Sequence, residues 1–410
     1  GLFVPPRLCC AIRVDTEVMT PVSPFAVRRR RVLRALISLR RKERRDRARQ
    51  WWGAALEKRL PRYCSGKKGK NRPPKLYGRA SAYGRSFGVS ARDDFQFGLS
   101  GDAFYRCFRF HRKDIPVLVR ALNIPDTFTT TRGCVIDGEE ALLIFLRRMS
   151  YPNRWVDLEL MFQRSSGSMS DISTEVRKHL LPIAGRKLRE FDYKYWAPWI
   201  PAFADAIAAK GSPLKRVWGF IDGTFRAMSR PGKDGYRGPV QRAFYCGYKR
   251  KHGVEFQAIL LPNGMAGEMN GPHPGLLNDL TMLDISKLIL RLILFILYLG
   301  RWFYLFGNLP YHKHFVLLSP LQNSQTMSAE AKKFNKKMSK VRVSVEHYFA
   351  KVISLFAFVD FSKNMKLYKQ PVGAFWLIAC LLTNCHSCLY GNQTSRYFKV
   401  PTPDLEDYLS

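Results

Sequence analysis

Acidic residues are the scarce class in this chain. Across 410 residues, 32 Asp and Glu stand against 68 Lys and Arg, giving a formal net charge of +36 and a pI near 10.1. That imbalance argues against basic partners and for nucleic acid or another anionic surface. Cysteine is sparse as well. Nine cysteines lie scattered without a paired framework, which excludes a disulfide-built scaffold and points to a reducing, intracellular compartment. No signal-peptide pattern opens the chain. Long hydrophobic runs are also missing. The richest stretch, 288–306, is interrupted by Arg291 and Arg301. Its clean part, Leu292–Leu299, falls far short of the roughly 20 residues that a membrane span needs. A buried helix followed by a buried strand is expected there, and no membrane.

What is present is enough apolar surface for a folded protein, 46% hydrophobic and 13% aromatic, over a length that suits two domains. The charge is uneven. Residues 1–100 hold 25 Lys and Arg against 7 Asp and Glu, about half of the excess. Residues 1–95, with Arg28–Arg31, the basic run 40–45 and a Gly/Ser/Lys-rich linker after Lys67, read as a solvated, disordered basic tail. Such a tail suits a nuclear-import signal and a DNA-gripping arm at once, so a nuclear location is expected.

Residues 100–210 read as an all-helical domain, with Leu118, Leu122, Ala141, Leu142, Phe145 and Leu146 at helical spacing. Within it, Trp155–Phe162, a Ser/Gly turn and Ser170–Leu181 fit a helix-turn-helix whose second helix turns Ser173, Thr174, Arg177 and Lys178 outward. An ordinary α-hairpin has the same pattern. From Leu214 the period changes. Strands are expected at Val217–Asp222, Ala243–Tyr248 and Glu255–Leu261, then a helix Asp279–Leu299, a strand Trp302–Phe306 and a long helix or helix pair over Ser328–Phe356. That succession is an α/β pattern occupying 214–390, with 391–410 as a C-terminal tail.

The few acids of this second half fall in suggestive places. Asp222 closes an apolar strand, Asp279 follows a Gly/Pro-rich turn, and Glu346 sits four residues after Arg342 on a helix. A second apolar strand ends in Gly307-Asn308, where one more carboxylate would complete the set. Gly223 is read as letting the chain turn sharply behind Asp222. Glu346 is expected at the edge of a buried stripe through Phe334, Met338, Val341, Val345, Phe349 and Val352. Carboxylates converging from separate elements hold Mg²⁺ or Mn²⁺ for phosphodiester chemistry. Singly, Asp222 also suits a turn, Asp279 a helix cap and Glu346 a surface ion pair with Arg342. Lys249 and Arg250, on a strand-to-strand turn, suit phosphate contact or a solvated hairpin tip. Cys380, Cys385, His386 and Cys388 have zinc-ligand spacing but sit in an apolar helical run, which favours core cysteines. His273 and His312 read as loop residues.

The motifs are more specific taken together. Val217–Thr224 (VWGFIDGT), Gly275–Asp279 (GLLND), Phe306–Tyr311 (FGNLPY) and Val341–Glu346 (VRVSVE) resemble those of the Harbinger-type DDE transposase nucleases. So do Arg147–Trp155 and Leu382–Tyr390, and the resemblance runs from about Phe104 to Leu409. It implies an RNase H-like mixed sheet flanked by helices, cleaving DNA by a two-metal mechanism with Mg²⁺ or Mn²⁺. Asp222, Asp279 and Glu346 match the family's acids, and Arg342 would steady Glu346 or a phosphate. Two positions depart from the pattern: Asn278 replaces the usual His, and Asn308 replaces an acidic ligand. An amide brings no negative charge to two dications, so an impaired endonuclease is expected. The alternative is a catalytically inactive protein that binds DNA or a protein partner. The resemblance further implies a Myb-like targeting partner and leaves room for an oligomer.

Overall fold

The computed structural model describes residues 99–231, 239–311, 314–322, 327–367 and 369–410, without the side chains of Pro239, Ser344 and Val345. The basic tail of residues 1–95 and His312 lie outside the described residues.

The chain enters through α1 (Gly101–Phe108), whose N-cap Ser100 accepts from the Ala103 amide, and α2 (Ile115–Ala121). A small hairpin follows, β1 (Thr127–Thr129) with β2 (Val135–Asp137). Asp137 then caps α3 (Gly138–Ser150), its Oδ1 accepting from the amides of Glu139 and Glu140 at 2.9 and 3.1 Å. Residues Ala141–Leu146 are all buried, so α3 is a helix wrapped on every side.

The expected helix-turn-helix takes another form. A single helical turn, Glu159–Phe162, precedes the 23-residue α4 (Ser166–Leu188). Glu159 accepts from both the amide and the hydroxyl of Ser166, and Arg164 forms a bidentate pair with Glu140 at 2.7 and 2.9 Å, which pins the turn to α3. Contrary to expectation, Ser173 is buried, because Met169, Ile172, Val176 and Leu180 make that side of α4 a core stripe. The Thr174 hydroxyl bonds back to the Ser170 carbonyl, Arg177 is half-buried, and Lys178 is exposed and paired with Glu175. Next comes α5 (Ile200–Ala209), which packs on the central strand.

That strand is β3 (Val217–Ala227), followed by β4 (Tyr245–Cys246), β5 (Lys251–Leu260) and β6 (Ala266–Pro274). Expected strand one thus runs five residues past Asp222. Gly223 does not turn the chain there, since it stays in register opposite Gln257 on antiparallel β5. The strand β6 escaped sequence reading because Gly271, Pro272 and Pro274 look like a loop. It pairs with β5 alone, and an edge position tolerates proline.

The expected helix over Asp279–Leu299 is two helices, α6 (Asp279–Ser286) and α7 (Leu288–Leu299), broken at Lys287 with φ +52°. Then come β7 (Tyr304–Phe306) and β8 (Leu317–Leu318), running parallel to β3 and to each other. The strand order is β6-β5-β3-β7-β8, with β4 pairing at the start of β5. This is the α/β RNase H-like mixed sheet flanked by helices. The long C-terminal pattern resolves into α8 (Ala329–Arg342) and α9 (Ser344–Leu355), with Val343 between them.

Last come α10 (Val372–Tyr390), α11 (Gln393–Phe398) and α12 (Leu405–Leu409), the latter burying Tyr408 and Leu409. By length and composition α10 is apolar enough to cross a membrane, yet most of it is buried in the core. Cys380 and Cys385 are fully buried there, and the His386 ring bonds to the Tyr105 hydroxyl at 3.0 Å. Asn384 explains the polar residues of this helix. Its amide exchanges two hydrogen bonds with the backbone of Ala266 on β6 and meets the hydroxyls of Tyr348 and Tyr408. Arg291, one of the charges that interrupts the apolar run, points inward from α7. It grips buried Glu268 of β6 at 2.6 and 2.7 Å, and Glu268 also accepts from the Phe191 amide.

Candidate active site

The central parallel pair of strands sets the site. Ladder pairing between β3 and β7 ends at Phe220 opposite Phe306, so β3 continues beyond its neighbour. Two residues on, Asp222 and Asn308 stand at the same level, and the Asn308 Nδ2 donates to Asp222 Oδ1 at 3.1 Å. Gly307 fits here because a Cβ would fall 2.6 Å from the Tyr311 ring.

Asp279 reaches the same place from the start of α6. Its N-cap is Asn278, whose Oδ1 accepts from the amide and hydroxyl of Thr281. The residue that replaces the usual His is therefore a helix cap. An added Cβ on Gly223 would lie 2.4 Å from Asp279 Oδ1. Glycine is required at 223 for this close approach, not for a turn. The Asn308 side chain also favours the charged form of Asp279, so it acts on both acids. Its Oδ1 is buried and has no hydrogen-bond partner among the described residues.

The remaining expected residues divide into two groups. Arg342, in the last turn of α8, pairs with Asp222 Oδ2 at 3.5 Å rather than with Glu346. Glu346 lies in the first turn of α9 and is exposed, not at a buried edge, because the break at Val343 resets the helix face. Its charge still reaches Asp222. Lys249, beyond β4, is drawn toward the site: its Nζ lies 4.0 Å from Glu255 and 4.9 Å from the centre of the Phe225 ring, and its charge acts on Asp279. Arg250 takes the left-handed conformation at φ +51° and is exposed. Arg177 and Lys178 lie on α4, and no hydrogen bond or ion pair joins them to the acids.

Electrostatically this is an anion-rich pocket. Burial pushes the Asp222 carboxyl above its ordinary range; Arg342 and the Gly223 amide oppose that, while Asp279 and Glu346 add to it. Burial likewise raises Asp279, against the pull of Lys249 and of the Asn308 side chain. Among the described residues no three His, Cys, Asp or Glu side chains come together as a metal would require. Two carboxylates converge, and Asn308 takes the third place.

Sequence reading missed two partners. Gln257 Nε2 donates to the Asp279 carbonyl and to the Tyr311 hydroxyl. Glu255, 8% exposed, is pushed up to about 7, chiefly by burial, with Lys249 opposing and Asp279 adding. Both stand two apart in an otherwise apolar strand, so the period-2 signal was present.

Glu255 makes a pH prediction. A carboxyl whose pKa is higher in the folded than in the unfolded protein holds its proton more tightly when folded. Its contribution to stability is therefore full below pH 4.5 and fades as pH rises to about 7. Glu255→Gln is expected to unfold with a free energy about 2 kcal/mol higher than wild type at pH 8 and nearly equal at pH 4.5. Urea titrations at the two pH values check this, and an equal difference at both would refute it.

Residues 221–384 match the family model of the DDE superfamily endonucleases. That stretch, from the end of the β3–β7 pairing to the middle of α10, is the part of the chain that is similar to the DDE superfamily endonucleases. No curated protein and no solved structure matches the chain.

Proposed function

We propose that this protein is a Harbinger-like, transposase-derived endonuclease whose phosphodiester cleavage is impaired at Asn308. The observation that carries the reading is the meeting of Asp222 and Asp279 around the Asn308 amide, on strand and helix ends that the DDE domain match covers. A nuclease domain of this superfamily implies DNA as substrate. The donors fit the chemistry of a hard cation: two carboxylates and the buried, unpartnered amide oxygen of Asn308 are oxygen ligands such as Mg²⁺ and Mn²⁺ take. Asp222 and Asp279 would hold one ion, joined by the Asn308 oxygen once the amide turns over, with Glu346, whose charge reaches Asp222, as a further acid. When bound, the ion would supply charge for the attacking or leaving oxygen.

The protein's own residues do the rest. Arg342 pairs with Asp222 and favours its charged form against burial, and the charge of Lys249 does the same for Asp279. Gln257 fixes the backbone of Asp279. The Asn308 amide opposes catalysis in one respect: it donates a hydrogen bond to Asp222 while adding no negative charge. A non-catalytic DNA- or protein-binding role is the rival reading, and that contact is the feature which favours it. A separate Myb-like partner and a nuclear location belong to the same proposal, resting on the motifs and the basic tail.

Nicking of supercoiled DNA by the full chain in Mn²⁺ tests it. Weak cleavage that Asp222→Asn abolishes supports the endonuclease. Cleavage untouched by Asp222→Asn would sink this site assignment, and no cleavage under any condition would leave the binding role. For the tail, removal of residues 1–70 is expected to flatten the dependence of DNA affinity on log salt. An unchanged slope takes the tail out of DNA binding.

A further inference from the structure

Lys351 is a cation without a counter-charge. It projects from α9, and its Nζ bonds only to neutral groups, the Ser387 hydroxyl at 3.0 Å and the Gly391 carbonyl at 3.2 Å. Among the described residues no carboxylate pairs with it. Burial pushes its ammonium down to about 8, and the positive charge of Arg396 opposes it further. Keeping a charge half out of water with no opposite charge is costly.

Beside it opens a cleft of about 340 Å³, walled by His347, Ala350, Lys351 and Ser354 of α9 and by Asn392 and Thr394 across from them. No acidic residue lines it. The cleft also has a direction. Glu346, Ala350 and Ser354 are all exposed at four-residue spacing, so they share one outer face of α9. Lys351 stands five residues from Glu346, about 7.5 Å along the helix axis and about 140° around it, so Lys351 lies on a different side of α9 from Glu346.

We propose that this cleft receives a backbone phosphate of the bound DNA, with Lys351 as its counter-charge. The inference rests on the endonuclease reading, since that reading makes DNA the ligand. The contact is independent of base sequence and serves to hold the duplex against α9.

DNA binding without divalent metal separates this idea from cleavage. In the full chain, Lys351→Met is expected to weaken binding to a short duplex about equally for all sequences and to lower the slope of log affinity against log salt by about one. Ala350→Glu, on an exposed wall of the cleft, is expected to weaken binding about tenfold while Lys351 and its bonds stay intact. Wild-type protein gives a third readout. Lysine acetylation mapped by mass spectrometry is expected to mark Lys351 in free protein and to spare it when duplex is bound. An unchanged slope in Lys351→Met, full affinity in Ala350→Glu, or an unprotected Lys351 each overturns the cleft while leaving the endonuclease reading intact. Absence of any wild-type DNA binding would overturn both.

Discussion

Asn308→Asp is expected to raise Mn²⁺-dependent nicking of DNA by several orders of magnitude over wild type. Asn308 and Asp222 share one level of the sheet, 3.1 Å apart, so a carboxylate at 308 would join two acids already in place. It would replace an NH₂ group bonded to Asp222 with a negative charge, and a bound dication would then have three anionic ligands instead of two. A metal ligand of this kind contributes several kcal/mol to the transition state, roughly a thousandfold or more in rate. The substitution is nearly isosteric, so the fold has little to adjust. Three carboxylates without metal repel one another, and the revertant is expected to be the less stable protein until Mn²⁺ is added. Plasmid nicking rates and melting temperatures with and without Mn²⁺ check both halves. A wild type that cleaves as fast as the revertant, with Glu346→Gln equally active, would remove the site from the account.

Arg291→Ala carries the largest expected loss of stability, about 3–5 kcal/mol. Its guanidinium lies with Glu268 deep in the core, at 2.6 and 2.7 Å. Burial works against the charge of Arg291, and Glu268 more than restores it. Truncation would strand the Glu268 carboxylate, 2% exposed, with the Phe191 amide as its remaining donor. The double variant Arg291→Met with Glu268→Gln is expected to recover more than half of the loss, because Gln still accepts from Phe191 and no charge is left buried. Urea unfolding of the three proteins measures this. A loss below about 1 kcal/mol in Arg291→Ala would mean that the pair is solvated rather than buried.

Much of this was legible in the sequence, and the misses have physical causes. The change of period near Leu214 marked the passage from helices to sheet, and the apolar strands before Asp222 and Asn308 were visible as strands. Their relation was not. That Asp222 and Asn308 share a level follows from the parallel pairing of β3 with β7, a long-range register that no local pattern encodes. Gly223 was noticed for the wrong reason: its freedom in the backbone mattered less than the space it leaves for Asp279. Glu346 was misplaced because a stripe read across 334–352 assumes one helix, and the break at Val343 changes the face. Lys249 read as a phosphate contact or a hairpin tip, and its neighbours in space, Glu255 and Asp279, were not legible because strand pairing and a turn separate them from it.

The apolar helix α10 carries a consequence for how the chain is made. It packs on α4 near the start of the described chain, on edge strand β6 and on α9, and Asn384 ties it to β6. Every one of those partners is synthesised before residue 372. The faces of α4, β6 and α9 that meet α10 therefore stay uncovered until this late segment is made. Apolar faces left open in this way are aggregation-prone, and a stop codon just ahead of Val372 is expected to yield an insoluble product rather than a smaller folded protein.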